Sequence, residues 1–237
     1  MDITKYLDTW AAAYRNDLIE NIMPFWMKFG LDRKHGGIYT CLDRDGKLMD
    51  STKSVWFQGR FGFIASYAYN HIEKKQEWLA ASKSCIDFIE THCTDIDGHL
   101  FFEVTEEGIP LRKRRYVFSE CFAAIAMSEY AIASGDKSYA TKALEIFKRT
   151  LKFLSTPGFL EPKYLPTLQS RGHSITMILI NTASRIREVI EDPVLDRQIN
   201  ESLTSIRQYF MHPEFKALLE MVGPKGELID TCNGRTI

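Results

Sequence analysis

In the stretch Lys53-Ser54-Val55-Trp56-Phe57-Gln58-Gly59-Arg60-Phe61-Gly62-Phe63 a permanently charged guanidinium is set among aromatic side chains. Trp56, Arg60, Phe63, Ile64 and Tyr67 recur at intervals of three and four, which places them on one face of a helix. Arginine stays protonated at any working pH, so it suits the stabilisation of an anion that forms during a reaction. A charge buried without a partner is costly, so the same spacing predicts a compensating group. A second helical stretch, from Tyr116 to Met127, carries a carboxylate in similar company, with Glu120 in line with Tyr116, Ala124 and Met127. Two arrangements satisfy the pattern: Arg60 and Glu120 form an ion pair, or they stand as two walls of one polar pocket.

The elements that must position these residues belong to a chain of 237 residues that is 45% hydrophobic, enough to bury a substantial core in a single domain spanning 1–237. A formal net charge of −1 and a pI near 6.6 leave no electrostatic footprint for nucleic acid or an anionic membrane. The basic run from Arg112 to Arg115 reads as a solvated loop. No apolar run approaches a membrane span, and Met1-Asp2-Ile3-Thr4-Lys5 lacks the order of a signal peptide, so a soluble, cytoplasmic protein is expected. Five cysteines, Cys41, Cys85, Cys93, Cys121 and Cys232, form no CxxC pair and no Cys/His metal spacing. They read as reduced thiols, mostly in the core, and no metal is expected.

Helical periodicity covers residues 3–28, 52–73, 76–93, 116–134, 137–155, 173–191 and 194–211. Asp192-Pro193 offers a capping side chain before a first-turn proline, and Gly135-Asp136 a stop followed by a cap. Between alternate helices lie short extended segments around an acidic or Pro/Gly turn: Gly36 to Thr40 with Asp45 to Leu48, Gly98 to Phe102 with Glu107 to Ile109, and Leu218 to Val222 with Gly223 to Leu228. Turn glycines at 46, 108 and 226 imply a period of about 60 residues, one helix pair plus one hairpin, with the Pro-rich loop Pro157 to Pro166 replacing the missing turn. Such a repeat stacks sideways and can close into a ring of inner and outer helices. Inner helices should carry the aromatic and odd polar residues, and outer ones, such as Trp78 to Glu90 and Tyr139 to Phe153, should be plainly amphipathic.

Several stretches in fixed order resemble the N-acylglucosamine 2-epimerases, also described as renin-binding proteins. They are Phe25-Trp26 with Gly36-Gly37-Ile38-Tyr39, Lys53 to Arg60, Val117-Phe118-Ser119-Glu120-Cys121-Phe122, Ala126-Met127-Ser128-Glu129 with Ser134-Gly135-Asp136, and Met177 to Asn181. The Phe-Ser-Glu-Cys-Phe segment favours this branch over the cellobiose epimerases. The resemblance implies an all-α, six-hairpin (α/α) toroid, here about its first two thirds, with short β-hairpins at one rim. It further implies inversion at C2 of an open-chain sugar, interconverting N-acetylglucosamine and N-acetylmannosamine. One base removes the C2 proton, an enolate forms, and an acid on the opposite face returns a proton. A homodimer is the expected assembly, no cofactor is required, and ATP enters only as an allosteric activator of relatives, with no nucleotide motif here to place it.

Carried over residue by residue, the pocket candidates are Arg60 as oxyanion or substrate clamp, Tyr116 and Glu120 on a neighbouring inner helix, Tyr39 from a rim hairpin, Lys163 from the Pro-rich loop, Asn181, and Trp56 as a stacking surface. Met177 is expected to pack. In the family the acid/base groups are two histidines, the first in an Asn-Pro-Gly-His motif after a Gly-Arg pair. Here Gly234-Arg235 is followed by Thr236-Ile237, so the segment is expected to lack both and to be inactive by itself. Its own histidines read as exposed or capping: His35, His99 and His212 in hairpins or loops, His71 and His92 at helix ends, and His173 opening a helix. The competing readings are an aldose–ketose isomerase or cellobiose 2-epimerase-like enzyme, and a non-catalytic, protein-binding helical scaffold. A glycoside hydrolase needs two opposed carboxylates, of which only Glu120 can be nominated.

Overall fold

The computed structural model describes residues 2–113, 116–160, 164–165 and 167–235, apart from the side chains of Asn233 and Arg235. Helix α1 (Ile3–Asp17) opens on Asp2, whose Oδ1 accepts from Thr4 N at 3.0 Å. It runs on through wide π-helical turns (Leu18–Ile22 and Trp26–Gly30) on either side of α2 (Met23–Phe25). Three helix pairs follow: α3 (Val55–His71) with α4 (Gln76–His92), α5 (Phe118–Ser134) with α6 (Ser138–Ser155), and α7 (His173–Arg187) with α8 (Pro193–Ser205). Short links make the members of each pair antiparallel neighbours. The predicted caps are in place: Val194 N donates to Asp192 Oδ1 at 2.9 Å, and Ser138 N to Asp136 Oδ1 at 2.9 Å after the left-handed Gly135.

The strands are short. β1 (Cys41–Leu42) pairs with β2 (Leu48–Asp50), and β3 (Lys53–Ser54), β4 (Glu103–Val104) and β5 (Pro110–Arg112) form one three-stranded sheet in that order. β6 (Arg171–Gly172) pairs with β9 (Met221–Val222), and β7 (Met211–His212) with β8 (Ala217–Leu218). Gly46 N donates to Asp43 O at 3.1 Å while Asp43 N donates to Lys47 O at 2.9 Å, a tight turn closed by a glycine at φ 89°. The same two bonds recur at Thr105–Ile109 and Gly223–Glu227, so the spacing of glycines 46, 108 and 226 reflects one repeated turn. The hairpin strands themselves differ from expectation. They flank these turns directly at 41–42 and 103–104 rather than at 36–40 and 98–102, and the expected third hairpin is replaced by the β7–β8 and β6–β9 pairings.

α5 packs against α3, α4, α6 and α7, and is buried along most of its length. α3, α5 and α7 therefore form one layer, backed by α4, α6 and α8. The approach of α3 to α5 is close enough that a Cβ on Gly59 would lie 2.6 Å from the carbonyl carbon of Phe122. The outer α6 is plainly amphipathic, as expected, burying Tyr139, Ala143, Phe147 and Phe153. Cys85, Cys93 and Cys121 are core thiols, pushed up to about 12 by burial, while Cys41 and Cys232 are exposed. α1 buries no residue and turns Ile3, Leu7, Trp10 and Tyr14 to solvent.

Lys53, in β3, ties the rim to the helices. Its side chain is fully buried, and Nζ donates to Asp32 Oδ2, Gly36 O and Glu106 O, each at 2.7 Å, while lying 4.2 Å from the Phe88 ring centroid. Burial alone would raise the Asp32 carboxyl, but the Lys53 ammonium and the backbone N–H groups of His35 and Lys34 outweigh it and hold the group at about 2. Next to this anchor, Gln58 is fully buried and grips Ile38 twice, donating to its O at 2.7 Å and accepting from its N at 2.8 Å.

Glu120 departs from expectation. It is fully buried rather than pocket-facing, because α5 is enclosed on three sides and the 120/124/127 face is the packed one. Its Oε1 accepts from Leu100 N at 2.6 Å and lies 3.4 Å from Nε2 of the buried His99, which sits 3.2 Å from Tyr116 O. Desolvation raises the Glu120 carboxyl to about 7, ahead of the opposing Leu100 N–H, and lowers His99, so burial favours the uncharged form of each. His99, expected at the surface, is thus a core group, as is His173, packed 5.3 Å from the Phe210 ring.

Two stability predictions follow from these carboxylates, with opposite signs. Lys53→Met leaves Asp32 as an unpaired buried charge and two carbonyls without donors, and urea unfolding at pH 7 is expected to show a loss of about 3–5 kcal/mol. Because the Asp32 carboxyl is lowered, its contribution is complete above its ordinary 3.8 and fades as pH falls toward about 2. Glu120 is raised, so its contribution is complete below its ordinary 4.5 and is lost as pH rises to about 7. Unfolding free energies of wild type and Glu120→Gln across that window are expected to diverge by roughly 3 kcal/mol in favour of the variant at the upper end. Parallel curves would show that Glu120 is not the titrating group.

Candidate functional site

One stripe of α3 remains open after packing: Phe57, Arg60, Ile64, Tyr67 and His71 are exposed at intervals of three and four. It lies opposite the α3 face that meets α4, where Ser82 Oγ donates to Gly62 O and accepts from Ser66 Oγ, both at 2.7 Å. α7 presents a matching open stripe of Ser174, Met177 and Asn181. Between them α5 contributes Phe118 and Phe122 near its start. The three helices so build one face, turned away from the outer layer.

Arg60 sits on this face with its guanidinium carbon 5.0 Å from the Phe122 ring centroid and 5.8 Å from that of Phe57. It is exposed, not buried, and engages no carboxylate among the described residues, so the compensating partner expected for it is not needed. Water and two aromatic faces solvate the charge instead. Neither sequence arrangement of Arg60 with Glu120 holds, since Glu120 is committed to Leu100 and His99 on the far side of α5. Trp56 is half-buried in an aromatic cluster, 5.1 Å from Phe118, 5.8 Å from Phe122 and 5.5 Å from Phe102 between ring centroids.

That cluster leads to the rim. Tyr116 meets Phe118 edge to face at 6.3 Å and lines a cleft of about 680 Å³ with Leu168, Arg171, Ser174, Ile175 and Met221. Arg171 is held across the mouth, its Nε donating to Pro224 O at 2.5 Å and its guanidinium 4.3 Å from the Tyr209 ring. Tyr39 is placed differently. Its hydroxyl donates to Glu106 Oε2 at 3.0 Å and its ring lies 5.3 Å from Lys53 Nζ, so it belongs to the Lys53 anchor. Burial and the Glu106 and Asp32 carboxylates raise its phenol well above the ordinary range. Asn181 is on the open stripe beside Met177, which is half exposed rather than packed. Lys163 lies outside the described residues.

Three contributors were not singled out from sequence. Lys53 and Gln58 stand in the Lys53 to Arg60 stretch but were assigned no role of their own. Arg185 of α7 reaches over α5, its guanidinium 5.8 Å from the Phe63 ring and 6.0 Å from that of Tyr67, and is paired with Glu188 at 3.1 Å. Near that end His71 stacks on Tyr67 with centroids 4.2 Å apart and approaches the buried Glu129 at 3.5 Å. Arg60 and His71 are separated by three helical turns, about 16 Å.

The face can supply a permanent positive charge, aromatic stacking surface and amide hydrogen bonding, together with a rim cleft above it. A sequence model of the family described as N-acylglucosamine 2-epimerase (GlcNAc 2-epimerase) matches residues 37–220. The chain is 27% identical over 237 residues to the N-acylglucosamine 2-epimerase of Rattus norvegicus, covering 97% of this chain and 56% of that protein. It is 31% identical over 139 residues to a cellobiose 2-epimerase of Ruminococcus albus, covering 58% of this chain and 35% of that one. In three dimensions it is similar to the cellobiose 2-epimerase from Bacillus thermoamylovorans B4167, with a TM-score of 0.84 over 94% of this chain and 61% of that chain at 20% identity, a likeness of fold. The chain spans about half the length of the curated relatives it matches. With that family's model matched across most of its helices, the chain belongs to the N-acylglucosamine 2-epimerase family.

Proposed function

We propose that the protein is a carbohydrate 2-epimerase that interconverts N-acetylglucosamine and N-acetylmannosamine, and that its helix pairs belong to a six-hairpin toroid whose bore is the α3/α5/α7 face. The observation that carries the reading is Arg60: a guanidinium on an open, aromatic-walled face, at the end of the Lys53 to Arg60 stretch that resembles the family, with no carboxylate among the described residues consuming its charge. Opening the sugar ring exposes a C1 aldehyde that acidifies the C2 proton. Removal of that proton moves negative charge onto O1, where a fixed cation lowers the barrier. Return of a proton from the other face inverts C2.

The proton-transfer groups are assigned outside the described residues of this face. His71 is three turns away from Arg60, and His99 and His173 are sealed in the core with lowered proton affinity. Trp56, Tyr116 and Asn181 serve the sugar, the first two by stacking at the rim side and Asn181 by hydrogen bonding. Glu120 acts on the site only through the Leu100 segment it holds.

A second reading, an enolate-forming isomerase of unmodified sugars or of cellobiose, is favoured by the Ruminococcus albus similarity. The ratio of kcat/KM for N-acetylmannosamine to that for mannose and cellobiose separates the two.

In heavy water the full-length protein is expected to introduce deuterium at C2 of N-acetylmannosamine, followed by proton NMR; epimerisation without solvent exchange rules out proton abstraction. Arg60→Met is expected to lower kcat by about 10²–10³ with little change in KM, and Arg60→Lys by less, since it keeps a charge without the planar donor fork. An Arg60→Met enzyme of unchanged kcat removes the guanidinium from the mechanism.

A further inference from the structure

The Lys53 ammonium draws two turns together, since it donates to Gly36 O in one and to Glu106 O in the other. Their side chains meet as well. One imidazole nitrogen of His35 and one carboxylate oxygen each of Glu106 and Glu107 all lie within 4.8 Å of one another. Two carboxylates this close repel unless a cation stands between them. Lys53 does not fill that role, because its charge is already matched by Asp32 at 2.7 Å. Lys34 is exposed, and Lys83, which lines the same cleft as His35, is paired with Asp87. His35 is not hydrogen-bonded to either carboxylate, and its Nε2 is sealed from solvent with no hydrogen-bond partner. An imidazole with an unpartnered ring nitrogen, gathered with two carboxylates and no hydrogen bond among the three side chains, is the arrangement expected of ligands that await a metal ion.

We propose that His35, Glu106 and Glu107 form a binding site for a divalent first-row transition-metal ion, with zinc as its representative. One imidazole and two carboxylates suit a borderline cation, and three protein ligands leave the remaining coordination to water. The surroundings are prepared for it. His35 N donates to Asp32 Oδ1 at 3.0 Å, which fixes the residue's backbone, and Glu106 Oε2 accepts from Tyr39 OH at 3.0 Å, which orients that carboxylate from outside the site. The site lies away from the open α3 stripe, on the side where His35 faces Ser84 and Phe88 of α4. Its role is a clamp: the ion locks the 32–37 turn to the 105–109 turn and, through Glu106, holds Tyr39. It stands independently of the epimerase reading.

Calorimetric titration of the chelator-treated protein with zinc chloride is expected to show one saturable equivalent and an unfolding midpoint raised by several degrees. His35→Gln and Glu107→Gln are each expected to weaken binding at least tenfold, and Glu107→Gln, at an exposed position, to leave the metal-free melting curve unchanged. Cobalt substitution reads the ligand set directly, with d–d absorption and no thiolate-to-metal band expected. Absence of saturable zinc binding, survival of binding in the His35→Gln/Glu107→Gln double variant, or a thiolate band from Cys41 or Cys232 would overturn the proposal.

Discussion

The buried ammonium of Lys53 is the constraint on which the arrangement of this molecule depends. An ammonium has three donors and no acceptor, and here all three are used, on one carboxylate and two backbone carbonyls from segments far apart in sequence. Placing a full charge in the interior is unfavourable unless every proton is bonded and an opposite charge is at hand. Both conditions are met only when the 32–37 turn, β3 and the 105–109 turn are in register. Lys53 directly precedes α3, so this also fixes where α3 begins. Arg60 is less than two turns into that helix, and its position relative to the rim is inherited from the anchor.

What the anchor sets along α3, Gly59 sets across to α5. Without a side chain at 59 the two helices approach closely, which brings the Phe122 ring under the Arg60 guanidinium and Trp56 into the Phe118–Phe122 cluster. Burying α5 almost completely has a second effect. The face left open by the inner layer is supplied mainly by its neighbours, α3 and α7, with α5 as a floor. Exposed Phe57, Ile64, Tyr67 and Met177 give that face an apolar character unusual for solvent-facing helix surface, and such surface marks binding more often than chance.

Helices were legible because their apolar residues recur at three and four over long stretches, and Asp192-Pro193 and Gly135-Asp136 mark their ends by backbone chemistry that tertiary structure seldom overrides. The repeat of turn glycines was legible for the same reason: positive φ leaves glycine as the favoured residue. Strand positions were not, because strands of two or three residues carry no periodicity and their register is set by the turns. Side-chain depth was the weakest reading. Periodicity placed Glu120 and Arg60 each on an aromatic face but could not say which face would meet another helix. Glu120 went inside, where Leu100 N and the loss of its charge make burial tolerable, and Arg60 stayed outside. Lys53 was hidden because nothing local distinguishes a buried lysine from a surface one when its partners lie 21 and 53 residues away.

The separation of Arg60 from every carboxylate among the described residues bears on the epimerisation proposed above. A guanidinium locked in an ion pair would have its field cancelled before substrate arrived, and one buried without a partner would have cost the fold several kcal/mol. Stacked on two rings at an open surface, it keeps its charge and is held only by aromatic faces. A neutral sugar gains little from such a charge while its C1 oxygen is an aldehyde. It gains much more once deprotonation at C2 makes that oxygen an enolate, in a face already lined with rings that exclude part of the surrounding water. The interaction is therefore small in the ground state and large near the transition state, and that difference, not the total strength of binding, is what accelerates a reaction.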